Sequence, residues 1–493
     1  MILALILIPG LAGLVSFISR SSRVQYGLLL AAAIMHVGLT ASAWFKLPAP
    51  IGQNWFFLDD VGLLFLSIIS LLFLAAALYG VDYLRRIDHG HSRSREQGLI
   101  FRNTPQATLV ASLLFFLAAM TLVTVSQHFG ILWVAIEATT LTSAPMIYFH
   151  RNARSLEATW KYLLICSVGI ALALMGNILL AVATLAPNGE SAPLFITQIG
   201  QLAAQEHLHL PWLKAAFLFL LVGYGTKMGL APLHTWLPDA HSEAPALVSA
   251  LLSGALLNCA FLGLLRIHQI CVVAGLGVFS GDLLIFFGLL SLLFAAVFIL
   301  GQTDYKRLLA YSSVEHMGLL ALGVGLGGRA VFGSMLHALN HSLTKAMLFF
   351  VAGNILGYYR TRIAADVQGM LQVMPLSGAL WIAGLLAITG FPPFGLFISE
   401  FIIFKEALDQ GRYLIAAIGL SLLGLIFVSM SAIVLRMAQG SPAADVQIQR
   451  RPESLLAVGP PALFCLLTIV LGLYIPQRLE ELLTRIAVFL GGG

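Results

Sequence analysis

Residues 227–232 read Lys-Met-Gly-Leu-Ala-Pro, and residues 390–395 read Gly-Phe-Pro-Pro-Phe-Gly. Each sits inside an apolar stretch long enough to cross a bilayer, which takes about 20 residues. Proline removes a backbone donor and glycine permits a sharp turn, so both stretches should be broken helices. A break at mid-membrane frees backbone groups that hydrocarbon cannot satisfy. It survives only where it faces protein or a wet cavity. The residues concerned are Gly229 and Pro232 in the first break and Gly390, Pro392 and Pro393 in the second.

The composition suits a membrane setting. Of 493 residues, 59% are hydrophobic and only 10% are charged. Soluble domains carry about 25% charged residues. A soluble globular protein, a disordered chain and a nucleic-acid binder are therefore excluded, and the lipid bilayer is the expected solvent. The formal net charge of +5 is spread over loops and forms no basic patch. Cys166, Cys259, Cys271 and Cys465 do not pair as CxxC. The chain thus has no iron–sulfur or zinc framework of its own. It also lacks a phosphate-binding glycine loop, so no cofactor and no catalytic residue is expected on it.

Gaps between charged residues mark fourteen spans, at 1–19, 24–45, 61–81, 104–125, 128–149, 162–185, 215–238, 244–265, 283–301, 308–328, 331–358, 374–405, 413–435 and 454–475. The first has no basic start and no clear cleavage site, and is read as a span rather than a signal peptide. The breaks fall in the seventh and twelfth spans. Five spans is an odd interval, so corresponding helices cross in opposite directions, as in inverted repeats. The expected fold is an all-α polytopic membrane protein with two inverted five-helix repeats, spans 4–8 and 9–13, each with one broken helix. The segments are 1–103 (three N-terminal helices), 104–265, 275–438 and 454–493 (last helix and tail), within one membrane domain.

Fourteen spans put both termini on one side. The opposite side then holds 17 Lys and Arg, among them Arg85, Arg86, Arg93, Arg102, Lys161, Lys306, Arg450 and Arg451, against 8 on the terminal side, among them Arg266 and Arg485. The positive-inside bias makes the richer side cytoplasmic. The expectation is a prokaryotic inner-membrane protein with both termini in the periplasm.

Two lysines, Lys227 and Lys345, lie inside spans, although the chain has 7 Lys against 20 Arg. A buried lysine can release its proton and an arginine effectively cannot. Glu137 lies mid-span and Glu400 follows the second break. Each would cost several kcal/mol facing lipid, so they should face the interior and find partners. His337, His341 and Lys345 follow one another at i, i+4, i+8 on one helix face. His316 follows Glu315 in the tenth span. His234 lies seven residues after Lys227, roughly on its face. Such groups could pass protons. They could also be fixed ion pairs that only hold helices together. The spacing of His337 and His341 would suit two ligands of one metal ion. No carboxylate or cysteine completes that set nearby in sequence, however, and Lys345 would repel a cation, so no metal is expected.

Residues 227–245 (Lys-Met-Gly-Leu-Ala-Pro-Leu-His-Thr-Trp-Leu-Pro-Asp-Ala-His-Ser-Glu-Ala-Pro) resemble the seventh-helix signature of the antiporter-like subunits of respiratory complex I. Trp133-Val-Ala-Ile-Glu137 is similar to their fifth-helix motif, and Asp304-Tyr-Lys306-Arg307-Leu-Leu-Ala-Tyr311-Ser312-Ser313 to the start of their tenth helix. The superfamily also includes Mrp-type cation/proton antiporters and membrane-bound hydrogenases. Asn258 stands where complex I pumps usually place a lysine. With Ser313-Val-Glu315-His316-Met-Gly318 and Asn340-His341-Ser-Leu-Thr-Lys345, this looks like hydrogenase-4 component F and related group 4 hydrogenase subunits.

The resemblance implies a proton-translocating subunit, with possible Na⁺/H⁺ antiporter-like exchange, in a membrane-bound hydrogenase or a complex I-like NADH/quinone oxidoreductase. Glu137 and Lys227 would form a buried pair of changing separation. The proton would then pass through His234, His241, His316, His337 and His341 toward Lys345 and on to Glu400. With Asn258 in the eighth helix, the central step falls to Lys345 and its histidines. The redox energy would come from peripheral hydrogenase-like subunits carrying iron–sulfur clusters, with NiFe as a further candidate. Other antiporter-like and membrane-anchor subunits would be neighbours. A lateral coupling helix, if the complex has one, would come from another subunit. The alternatives are a non-redox cation/proton antiporter, an inorganic-carbon uptake subunit, and a membrane anchor without pumping.

Overall fold

The computed structural model describes residues 1–89, 94–96, 99–101, 103–186, 189, 191–440 and 453–491. Arg93, Arg102, Arg450 and Arg451, counted above for orientation, lie outside the described residues. Three helices open the chain: α1 (Ile2–Ile18), α2 (Ser22–Ala43) and α3 (Asp60–His89). A short antiparallel ribbon follows, β1 (Ser94–Glu96) against β2 (Leu99–Phe101). The first repeat comprises α4 (Gln106–Val125), α5 (Phe129–Ile147), α6 (Ala153–Ala183), α7 (Ile196–Ala204), α8 (Leu210–Met228), α9 (Trp236–Glu243), α10 (Ala246–Leu251) and α11 (Leu257–Val273). A π-helical turn over Leu252–Leu256 joins α10 and α11 into one passage. The second comprises α12 (Gly277–Ile299), α13 (Tyr305–Leu326), α14 (Arg329–Tyr359), α15 (Met370–Val373), α16 (Pro375–Ile388), α17 (Gly395–Asp409) and α18 (Tyr413–Gln439). Then come α19 (Leu455–Leu473) and the amphipathic α20 (Gln477–Phe489).

Among the described residues, 10 helices are long and apolar enough to cross a bilayer. The four other expected spans fall short for reasons written in their sequences. Helix α1 has 17 residues. Helix α8 carries Lys214 and Lys227, and α14 carries His337, His341 and Lys345. The twelfth passage is split into α16, of 14 residues, and α17, of 15. With these four, the helical passages among the described residues number fourteen, and the seventh and twelfth are the broken ones.

Both breaks turn on a glycine in the left-handed region, Gly229 at φ 85° and Gly390 at φ 64°. The freed backbone groups find partners inside the protein, as hydrocarbon requires. Trp236 Nε1 donates to the Thr226 carbonyl at 2.9 Å. The Ala231 amide donates to Ser291 Oγ at 2.9 Å, so α12 of the second repeat closes the break of the first. The passage Ala246–Val273 is enclosed from Ala246 to His268, with α13 and α14 nearly so, while α18 shows most of its surface. Helices α12 and α13 approach so closely that a Cβ on Gly288 would lie 2.7 Å from the Gly318 carbonyl, the small-residue packing typical of membrane helices.

Among the described residues, the ion pairs link residues expected on the same membrane face. On one face Asp239 takes Lys161 and Arg307, each at 3.0 Å, and Glu243 takes Arg362 at 2.6 Å. On the other, Arg485 pairs with Asp60 at 2.9 Å and Arg266 with Asp59 at 2.5 Å. Two cations differ from their sequence reading. Arg266 is not a loop residue, because α11 runs on to Val273 and leaves it only 2% exposed. Lys306 is also enclosed, at 1% exposure, in the first turn of α13. It donates to the Ser242 and Ala244 carbonyls at 3.0 and 2.6 Å. It thereby satisfies the negative end of α9.

Candidate functional site: a buried polar axis

The axis starts on α5. Glu137 is half-buried there, and its Oε2 accepts from Thr140 Oγ1, one turn on, at 3.0 Å. The Lys227 ammonium, fully buried in the last turn of α8, donates to Thr140 Oγ1 and, at 3.0 Å, to the Tyr162 hydroxyl. The expected Glu137–Lys227 contact is therefore indirect, with Thr140 standing between the two charges. Tyr162 is held in turn by Ser143 at 2.6 Å and by the Trp236 ring, 4.9 Å away.

Past the break the histidines part from Lys227. His234 does not continue its face, because the turn at Gly229 redirects the chain. Its ring instead lies 5.5 Å from Phe294 and 6.1 Å from Tyr311. His241 stacks on Phe349 at 4.9 Å, and neither of its ring nitrogens has a partner among the described residues. Neither histidine is hydrogen-bonded to the axis.

The middle of the axis is Asn258, which donates to the Gly254 carbonyl and to Ser342 Oγ, both at 2.8 Å. Gly254 belongs to the π turn, a feature frequent at functional positions. Beside it Ser253 and Ser313 share a hydrogen bond of 2.8 Å between α10–α11 and α13. Lys345 donates to the Leu309 carbonyl at 2.5 Å and to Ser312 Oγ. Glu315, one turn beyond Ser312, is 2% exposed, and its Oε2 has no partner among the described residues.

The far end gathers three helices. His316 Nδ1 and His337 Nε2 lie 3.0 Å apart, and His337 Nδ1 meets Ser399 Oγ at 2.9 Å. His341 lies with its ring centroid 5.0 Å from that of His316. Glu400 comes in beside them, so that ligand atoms of His316, His337 and Glu400 all fall within 4.8 Å of one another. A Cβ on Gly390 would sit 2.1 Å from Glu400 Oε2, so the break seats this carboxylate. The carboxylate missing from the neighbourhood of the histidines in sequence is thus supplied in space by the twelfth passage.

The sequence reading gave no role to Thr140, Tyr162, Ser312 or Ser399. Thr140 had a local signal, lying at i+3 from Glu137 on one helix face. The others reach the axis only through tertiary packing. Most of these polar groups are fully enclosed, and several lack a partner among the described residues, including both nitrogens of His341 and both amide atoms of Asn340. Buried polar atoms of this kind call for ordered water. Hydroxyls and imidazoles with water between them can hand protons along.

Broken helices in inverted repeats, with titratable groups at the breaks, define a polytopic ion-translocating type of membrane subunit. Residues 126–426 match the family described as NADH:quinone oxidoreductase/Mrp antiporter, TM. A hydrogenase-4 component F homolog from Methylacidiphilum infernorum is 36% identical over 443 residues, 89% of each chain. Among solved structures, a chain of the archaeal membrane-bound sulfane sulfur reductase superposes with a TM-score of 0.84 at 21% identity, covering 99% of this chain and 97% of the other. A chain of the Mrp complex from Dietzia superposes at 0.83 and 20% identity, covering 99% and 96%. At these identities the structural likeness is one of fold. The chain belongs to the NADH:quinone oxidoreductase/Mrp antiporter family.

Proposed function

We propose that this chain is the proton-translocating membrane subunit of a redox-driven respiratory complex of the membrane-bound hydrogenase or NADH/quinone oxidoreductase kind. The observation that carries this reading is the line of ionisable groups inside the bundle, running from half-buried Glu137 and enclosed Lys227 at the first break, through enclosed Lys345 and Glu315, to half-buried Glu400 at the second. Ionisable residues are costly inside a membrane and mark ion pathways. Thr140 transmits the state of Glu137 to Lys227. Withdrawal of the Glu137 charge removes what favours the ammonium, and the proton leaves toward the second repeat. Asn258 and Ser342 hold the middle, and Lys345 receives the proton. The histidine pair and Glu400 pass it on.

The energy comes from partners. These are other antiporter-like and membrane-anchor subunits and peripheral subunits carrying iron–sulfur clusters, with NiFe in the hydrogenase case. The relative at 36% identity bears a hydrogenase-4 component name, which supports that choice. The basic-residue count of 17 against 8 supports a cytoplasmic face at Lys161 and Arg362, with both termini periplasmic, in a prokaryotic inner membrane. A second reading is a cation/proton antiporter without redox chemistry, because the fold is as close to the Mrp chain as to the reductase chain.

Purification in mild detergent, with mass spectrometry of whatever remains attached, tests the choice. Co-purifying iron–sulfur subunits and substrate-driven proton uptake support the redox reading. A complex of membrane subunits alone, exchanging Na⁺ for H⁺ without an electron donor, overturns it in favour of the second.

A further inference from the structure

We propose that His316, His337 and Glu400 form a binding site for a divalent transition-metal ion of the zinc type. Their ligand atoms lie within 4.8 Å of one another, and both histidines are fully enclosed. In a tetrahedral ion with bonds of about 2.0 Å, neighbouring ligand atoms stand roughly 3.3 Å apart. His316 Nδ1 and His337 Nε2 are already 3.0 Å apart, so a small opening admits the ion.

The surroundings resemble those of a prepared ligand. Metal-binding histidines usually donate their other ring N–H to a fixed acceptor. Ser399 Oγ donates to the Leu396 carbonyl at 2.9 Å, which leaves its oxygen free to accept from His337 Nδ1, also at 2.9 Å. Assigned from this network, the His337 proton sits on Nδ1 and the lone pair of Nε2 accepts from His316 Nδ1–H; binding an ion moves that His316 proton to its Nε2, which has no partner among the described residues. Glu400 rests against the backbone of Gly390 and offers a carboxyl oxygen, which binds an ion once its proton has left. His341 stands beside the cluster, its ring centroid 5.0 Å from that of His316, and water can complete the tetrahedron. Two imidazoles and one carboxylate favour Zn²⁺, Co²⁺ or Ni²⁺ over Mg²⁺ or Ca²⁺. Lys345 acts electrostatically on His316 and opposes the charge of the ion.

Binding stands on this geometry alone. That an ion held here stops proton passage through the second repeat rests on the pumping role proposed above. The test uses the purified, metal-stripped complex titrated with Co²⁺ alone and followed by its visible d–d absorption. The wild type should take up one more tetrahedral Co²⁺ per copy of this chain than complexes carrying His337→Gln or Glu400→Gln. Ser399→Ala should weaken binding about tenfold or more, and Lys345→Met should tighten it. Two ligand variants are included so that one that fails to assemble leaves the other. Equal uptake with the same spectrum in the wild type and an assembled ligand variant overturns the site. Full Co²⁺ uptake with undiminished proton pumping upholds the site and overturns only its blocking role.

Discussion

The side-chain amide of Asn258 donates to the hydroxyl of Ser342 at 2.8 Å, three residues before Lys345 on α14. Asparagine cannot carry a proton at accessible pH, yet it is docked on the axis beside a residue that can. Its second hydrogen goes to Gly254, in the π turn. Asn258→Ala should therefore cost about 1–2 kcal/mol of stability, from two hydrogen bonds lost in a closed site. Most proton pumping should remain, because Ser342 and Lys345 stay in place. Thermal melts and proton uptake on one preparation check both parts.

Thr140 sits between the carboxylate of Glu137 and the ammonium of Lys227. Thr140→Val keeps the shape and removes the hydroxyl that joins them. Hydrogen bonds to charged groups contribute about 1.5–3 kcal/mol. Pumping should fall by roughly an order of magnitude or more on that scale, and Thr140→Ser should restore it. Equal pumping by the valine and serine variants would remove Thr140 from the path.

Asp59 and Arg266 lock the loop before α3 to α11 by two hydrogen bonds of 2.5 and 2.7 Å. Burial pushes the Asp59 carboxyl up, but the Arg266 guanidinium, the Gly62 amide and the Gln127 side chain outweigh it and hold the carboxyl below its usual range. A depressed folded value means that the contribution is fully present above about pH 4, the ordinary Asp value. It is lost as pH falls through the lower folded value. Asp59→Asn leaves Arg266 enclosed and unpaired, at a cost of about 3–5 kcal/mol. The variant should melt well below the wild type at neutral pH, and the gap should narrow on acidification below about pH 4. Melting curves against pH decide this.

The orientation is open to direct labelling. Cys166, Cys259 and Cys271 are buried and Cys465 is half-buried, so the native background is low. Val488, at 61% exposure, and Arg154, also exposed, lie on opposite expected faces. An impermeant maleimide should reach Val488→Cys in intact spheroplasts and Arg154→Cys in inverted vesicles. The reverse pattern would invert the proposed topology.

The two breaks were legible because Gly229, Pro232, Gly390, Pro392 and Pro393 interrupt long apolar runs, and no other reading satisfies the backbone there. Lys227, Lys345, Glu137 and Glu400 stood out because charge inside such runs is rare. What stayed hidden was long-range pairing. Glu400 meets His316 and His337 only through the packing of α17 against α13 and α14. Arg266 finds Asp59 across 207 positions. Lys306 and Arg266 read as loop cations because they flank apolar stretches, and only the true helix ends show them enclosed. His234 was misdirected by helical spacing carried across a turn that resets the direction of the chain.

The central claim is that Lys227 carries the transported proton. The most direct measurement is proton uptake per electron in vesicles holding the assembled Lys227→Ala complex, beside wild type and Lys345→Ala. Electron transfer should continue while proton uptake falls to background in both variants. Wild-type proton uptake per electron by an assembled Lys227→Ala complex would contradict it.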